Sequence, residues 1–260
     1  MADFLATMAQ ASRRRAERLH PAEVRSHASA RKPPRLTLPA FTVIAECKLS
    51  APSVGVLSEP ADPSAEAARR AHLYADAGAT AVSVLSEPSR FAGHIDHVAA
   101  ASACSAPVMR KDFLVDPAQV WEARAAGAGG VLLIATMLRD ADLAEMLKTA
   151  QEAGLFVLVE GFDEDDLERI VAHSHAWESE QPYIGGLNCR DLRTLQVEPS
   201  RFEALAKNLP AGVPILAESG IDTAEDARRV RELGYAGVLV GSALMRAEDP
   251  AALIRGLQKG

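Results

Sequence analysis

Eight short apolar runs recur along the chain, separated by segments with helical patterning. They are "TVIAEC" (42–47), "AVSVL" (81–85), "PVMR" (107–110), "GVLLI" (130–134), "LFVLVE" (155–160), "IGGLN" (184–188), "PILAES" (214–219) and "AGVLVG" (236–241). Most are continuously apolar rather than alternating, as expected of strands covered on both faces. Between them lie "PSAEAARRAHLYADAGA", "DPAQVWEARAAGA", "LRDADLAEMLKTAQEAG", "DEDDLERIVAHS" and "TAEDARRVRELG". Several of these open on Asp or Thr and close at Gly, which are helix-cap signals. Such an alternation leaves two architectures, a closed (β/α)8 barrel or an open doubly wound sheet. The open sheet would favour a glycine-rich loop after its first strand, but that loop reads "KLSAPSVG" and holds no GxGxxG. A (β/α)8 TIM barrel of class α/β is therefore expected. It forms a single domain over 1–260, with an N-terminal helical extension at 1–40 and the barrel at 41–260. The length of 260 residues suits it.

The stretch "VIAECKLSAPS" (43–53) sharpens the reading. On a strand, Glu46 and Lys48 leave the same face, while Val43 and Ala45 take the other. In a sheet covered on both sides, that carboxylate and ammonium point inward, where an unpaired charge is costly. Catalytic groups of such barrels stand at the C-terminal ends of the strands, which share one mouth. The strand ends here supply Glu46 and Lys48, then Glu87, Arg110 and Lys111, Thr136, and Glu160. The last three supply Asn188 with Arg190, Glu218 with Ser219, and Gly241 with Ser242. Singly each has a plainer explanation. Glu160 could cap the helix that follows, and Arg190 could pair with Asp191. Gathered at one mouth, they make a site of mutually shifted pKa values. The segments "ESGI" and "GSALM" put small residues after the seventh and eighth strands, where such barrels frequently bind phosphate.

The net charge of −7 argues against a general nucleic-acid partner. The locally basic segment "SRRRAERLHPAEVRSHASARKPPR" reads as a solvated helix and arm. Cys47, Cys104 and Cys189 form no CxxC pair, so neither a disulfide framework nor a zinc site is expected, and a reducing cytoplasm fits. His94 and His97 lie one helical turn apart but lack a carboxylate partner at a strand end, so no metal is expected. No apolar stretch is long enough for a membrane span.

"AECKLSAPS", "RKDFLVDPAQVWEARAAGAGGVLLI", "LVEGFDEDDL", "GGLNCRDLRTLQV" and "ILAESGI" follow one another at separations that resemble the indole-3-glycerol phosphate synthase family, from about Phe41 to Pro250. The resemblance implies a barrel with a helical extension over its mouth. It also implies a cofactor-free conversion of 1-(2-carboxyphenylamino)-1-deoxyribulose 5-phosphate into indole-3-glycerol phosphate, carbon dioxide and water, in tryptophan biosynthesis. By matching position, Lys111 resembles the general acid, Glu160 the general base, and Lys48 a second acid and anion contact. Glu46, Asn188 and Glu218 match the other polar catalytic positions. Arg190, Ser53, Phe91, Ser219, Gly220, Gly241 and Ser242 match substrate contacts, the last four at the phosphate end. A small sugar phosphate is then the partner, with no nucleic acid or membrane, and the chain is a monomer or weak homo-oligomer. Departures fall around the first strand: Leu49 replaces a basic residue, Ala51 a serine, and Val54-Gly55 a Lys or Gly region. His94 stands where Ser is common, and Gly161-Phe162 follows Glu160. Leu49 and Ala51 are expected to weaken the grip on the substrate carboxylate. Two other readings are a phosphoribosylanthranilate-type isomerase and a repurposed barrel that binds an aryl-amino sugar phosphate.

Overall fold

The computed structural model describes residues 4–29, 33–51, 55–190 and 196–259. The barrel strands are β1 (Thr42–Cys47), β2 (Ala81–Leu85), β3 (Val108–Lys111), β4 (Gly130–Ile134), β5 (Phe156–Gly161), β6 (Tyr183–Asn188), β7 (Ile215–Glu218) and β8 (Gly237–Val240). Each lies parallel to its sequence neighbour, and β1 closes the ring by pairing with both β2 and β8. Across those seams Glu46 stands opposite Ser83 and Ala45 opposite Val240. The strands match the expected runs to within one residue at most ends. A small antiparallel pair, Ser50–Ala51 with Gly55–Val56, follows β1 outside the barrel.

The period of two explains the packing. Ile44, Met109, Leu132, Phe156, Leu158, Ile184, Leu216 and Leu239 fill the barrel interior. Their neighbours Val43, Ala45, Val82, Val84, Val157, Val159 and Val238 face outward and pack under the helices. Each fully buried large side chain is worth about 1.5–3 kcal/mol. The interior is thus a packed plug beneath the mouth.

The N-terminal extension wraps one side. Helix α1 (Phe4–Ala16) lies over the mouth, where Met8 joins the interior cluster. Helix α2 (Pro21–Ser29) packs on a barrel helix, Pro117–Ala125, with Arg25 4.8 Å over the Trp121 ring. The chain then crosses to the opposite end, where the Leu36 N–H donates to Gln181 at 3.2 Å before β1 begins.

The sequence patterning passed over the helical character between β2 and β3. A short helix, Pro88–Phe91, is followed there by a seven-residue one, Ile95–Ala101. Among the described residues no helix is long and apolar enough to cross a membrane.

Candidate active site

At the C-terminal ends of the strands lies a cavity of about 450 Å³. Strand parity decides what faces it. Along β1 the inward series runs Ile44, Glu46 and then Lys48; along β3, Met109, Lys111 and then Phe113. Along β5 it runs Phe156, Leu158 and Glu160. On β6, β7 and β8 the same rule brings Asn188, Glu218 and Gly241 to the cavity. Arg190, Phe91, Ser219, Gly220 and Ser242 line it too. Ser53 and Val54 lie outside the described residues, as does the Ala51 side chain.

Three strand-end residues do not reach the cavity. Arg110 precedes Lys111, so parity turns it outward, to Glu122 at 2.6 Å and the Gln119 carbonyl at 3.0 Å. Glu87 caps the Pro88–Phe91 helix, accepting from the N–H groups of Ser89 and Arg90 at 2.9 and 2.7 Å. Thr136 donates to Asp166 at 2.6 Å. The helix after β5, Glu164–Ser174, is capped by Asp163, which accepts the Asp166 N–H at 2.9 Å. Glu160 is therefore not a capping residue. Leu49 is also turned away: following inward-facing Lys48, it is buried and absent from the cavity wall. Position 49 therefore contributes no part of the cavity wall. Asp191, the alternative partner of Arg190, lies outside the described residues.

The cavity floor is a charge cluster. Lys111 Nζ lies 2.7 Å from Glu160 Oε2 and 3.5 Å from Glu218 Oε2. Lys48 Nζ lies 2.7 Å from Glu46 Oε1, which gives both inward charges of the first strand a partner. Asn188 donates to Glu160 Oε1 at 3.1 Å and accepts the Arg190 N–H at 2.9 Å, so one amide fixes the Glu160 carboxylate. Burial opposes the ammonium of Lys111, but Glu160, Glu218 and Glu46 together raise its pKa. Burial likewise opposes the Glu46 carboxylate, but Lys48 and then Lys111 hold its pKa below the usual range. Glu218 behaves oppositely. Burial, then the nearby Glu160 charge, push its pKa well above the ordinary range against the pull of Lys111. A side-chain hydrogen bond with Glu160 adds to the upward push. Gly186 makes room for Glu218, because a Cβ there would collide with the Glu218 carboxylate. The site thus sets a charged acid beside one carboxylate and a second, buried carboxyl whose pKa is pushed up.

The far end is built of tight backbone. Ser219 and Gly220 both adopt left-handed conformations, with φ of 65° and 66°. The Cys189 thiol donates to the Ser219 carbonyl at 3.3 Å and braces this turn. A Cβ at Gly220 would stand 2.9 Å from Val197, so glycine is needed for packing as well as conformation. A Cβ at Gly241 would strike the Glu46 carboxylate and approach Lys48 Nζ to 3.0 Å. The opposite wall is aromatic: the Phe113 ring centre lies 5.9 Å from that of Phe4 and 6.1 Å from that of Phe91. Phe4, Phe113 and Arg246 line the cavity but escaped the sequence reading. Of these, Phe113 was legible two residues beyond Lys111. Among the described residues no three His, Cys, Asp or Glu side chains are grouped to hold a metal. His94 instead caps the Ile95–Ala101 helix.

Comparison with known proteins places the chain in a family. The family model for indole-3-glycerol phosphate synthase matches residues 8–257. Indole-3-glycerol phosphate synthase of Salinibacter ruber is 43% identical over 220 residues, covering 84% of this chain and 77% of that protein. The Leifsonia xyli protein of the same name is 40% identical over 261 residues, covering 97% and 96%. A solved structure of 3-hexulose-6-phosphate synthase from Salmonella typhimurium shares the fold. It aligns with a TM-score of 0.63 at 18% identity over 84% of this chain and 97% of that one. A match over nearly the whole chain, on a barrel whose mouth gathers these side chains, settles the assignment: the chain belongs to the indole-3-glycerol phosphate synthase family.

Proposed function

We propose that this protein is a carboxy-lyase of tryptophan biosynthesis, closing the ring of 1-(2-carboxyphenylamino)-1-deoxyribulose 5-phosphate to give indole-3-glycerol phosphate. The observation that carries the assignment of roles is the part-buried Lys111–Glu160 contact of 2.7 Å, facing a cavity with an aromatic wall at one side and tight glycine turns at the other.

The chemistry needs these parts. In the first step the ring carbon bearing the carboxylate attacks the ketone carbon. The ketone oxygen must gain a proton, and Lys111 supplies it. Carbon dioxide then leaves, and the electrons of the broken bond neutralise the iminium nitrogen. In the last step the new hydroxyl leaves as water after protonation. Glu160 removes a proton from the saturated carbon beside nitrogen, completing the indole. Two protons are given, one to the forming and one to the departing hydroxyl, and one is taken from carbon; the pair exchanges that one within the cycle, and solvent supplies the other, which balances the carboxylate charge lost with carbon dioxide. Their direct contact supports that exchange. Glu218, buried and with its pKa raised, sits 3.5 Å from Lys111 as a proton carrier. Lys48 and Arg190 hold the carboxylate before it departs, with Glu46 orienting Lys48. Asn188 keeps Glu160 aimed. Phe91 flanks the aryl ring, and Ser219, Gly220, Gly241 and Ser242 receive the phosphate.

The test is direct. Incubation with the carboxyphenylamino-deoxyribulose phosphate should produce growing indole fluorescence and one carbon dioxide per indole. Absence of both from folded protein would remove the reading.

A further inference from the structure

Helix α1 is tied to the mouth by buried polar contacts that the proposed chemistry leaves unused. Ser12, fully buried, accepts from Gln119 Nε2 at 2.9 Å. One turn further, Arg15 reaches two carboxylates of different strand ends. Its Nη2 lies 2.5 Å from Asp112 Oδ1 and its Nη1 lies 3.5 Å from Glu87 Oε1. Both carboxylates are 1% exposed, whereas the guanidinium keeps an exposed edge.

Each carboxylate governs one aromatic ring of the cavity wall. Asp112 follows Lys111, and its Oδ1 also accepts the Phe113 N–H at 2.8 Å. Glu87 caps the short helix that ends in Phe91. Arg15 itself belongs to the helix that delivers Phe4. One guanidinium therefore joins the three segments that carry Phe4, Phe91 and Phe113. A planar fork suits this task, because it can hold two carboxylates at fixed angles, which a single ammonium cannot.

We propose that Arg15 is a positioning residue: by bridging Asp112 and Glu87 it assembles the Phe4–Phe91–Phe113 wall into a closed aryl subsite under α1. This deepens the proposed function and rests on it, since the wall then receives the substrate's aromatic ring. Arg15 touches no reacting atom. Its effect falls on binding of the aryl end and leaves the phosphate end alone.

The experiment titrates wild type, Arg15→Ala and Arg15→Lys with two probes, indole-3-glycerol phosphate and glycerol 3-phosphate, and measures kcat and KM. Arg15→Ala should weaken the indole compound by roughly ten- to a hundredfold, the range for a lost charged hydrogen bond. Glycerol 3-phosphate affinity should stay within about twofold, and KM should rise more than kcat falls. Arg15→Lys should recover part of the loss. If Arg15→Ala does not fold, Arg15→Lys carries the same test with a loss of at least about threefold, since one ammonium cannot bridge both carboxylates. Unchanged indole-compound affinity in a folded variant, or equal weakening of both probes, overturns the inference. A wild-type protein that forms no indole product counts against the proposed function instead, so the two failures are distinguishable.

Discussion

Glu218→Gln is the perturbation that most sharply separates a neutral from a charged cavity floor. Glu218 is 1% exposed, and Lys111 approaches only to 3.5 Å. Its pKa is raised by burial and by the Glu160 charge. A carboxyl with a raised native pKa stays protonated in the folded state after the unfolded chain has released its proton. In that window the native state binds more protons, so unfolding free energy falls as pH rises. The slope is about 1.4 kcal/mol per pH unit, beginning near the ordinary glutamate value of 4.5 and ending at the native pKa. Glutamine copies the shape and neutrality of the protonated carboxyl but cannot titrate. The variant should therefore match wild type near pH 4 and gain on it progressively above pH 5. At about 2–4 °C per kcal/mol for a chain of this size, the gap is easily read. Thermal midpoints of both proteins measured from pH 4 to pH 8 supply the assay. A gap that stays flat across that range, or that favours wild type as pH rises, would refute the neutral Glu218.

Other outcomes follow from the same geometry. Gly241→Ala places a Cβ against Glu46 and Lys48 and should weaken glycerol 3-phosphate binding by about tenfold or more, measured by titration; unaltered binding would move the phosphate elsewhere. Lys111→Ala should lower turnover about 100- to 10,000-fold while binding weakens far less; near-wild-type kcat would make Lys111 a bystander. Leu49→Lys should leave KM unchanged, because position 49 is absent from the cavity wall; a clearly lower KM would contradict that placement.

The legible part of this protein is what obeys a period. The apolar runs located the strands, and alternation from Ile44 to Glu46 and Lys48, or from Phe156 to Glu160, located the inward charges. The same rule, applied one residue more strictly, would have turned Arg110 and Leu49 outward. Glu87 was misplaced for a different reason: a carboxylate at a strand end can equally cap the next helix, and the Pro88 that follows it favours that role. Arg15, Ser12 and Phe4 could not be read from their own segment. Their partners lie more than 70 residues away, and only the path of α1 over the mouth brings them together. The raised pKa of Glu218 was equally hidden, since it depends on the burial and neighbours that closure of the barrel creates.

The division of labour between Lys111 and Glu160 is the centre of the account, and one measurement reaches it most directly. Substrate labelled in its carboxyl carbon is mixed with excess Glu160→Gln protein, and released carbon dioxide and indole fluorescence are followed through a single turnover. If Lys111 drives ring closure and Glu160 acts only at the final proton removal, labelled carbon dioxide should appear at close to one equivalent while indole lags far behind. Lys111→Ala in the same experiment should release neither. Loss of carbon dioxide release from Glu160→Gln in step with indole, or release of carbon dioxide at the wild-type rate from Lys111→Ala, would contradict the assignment of acid and base.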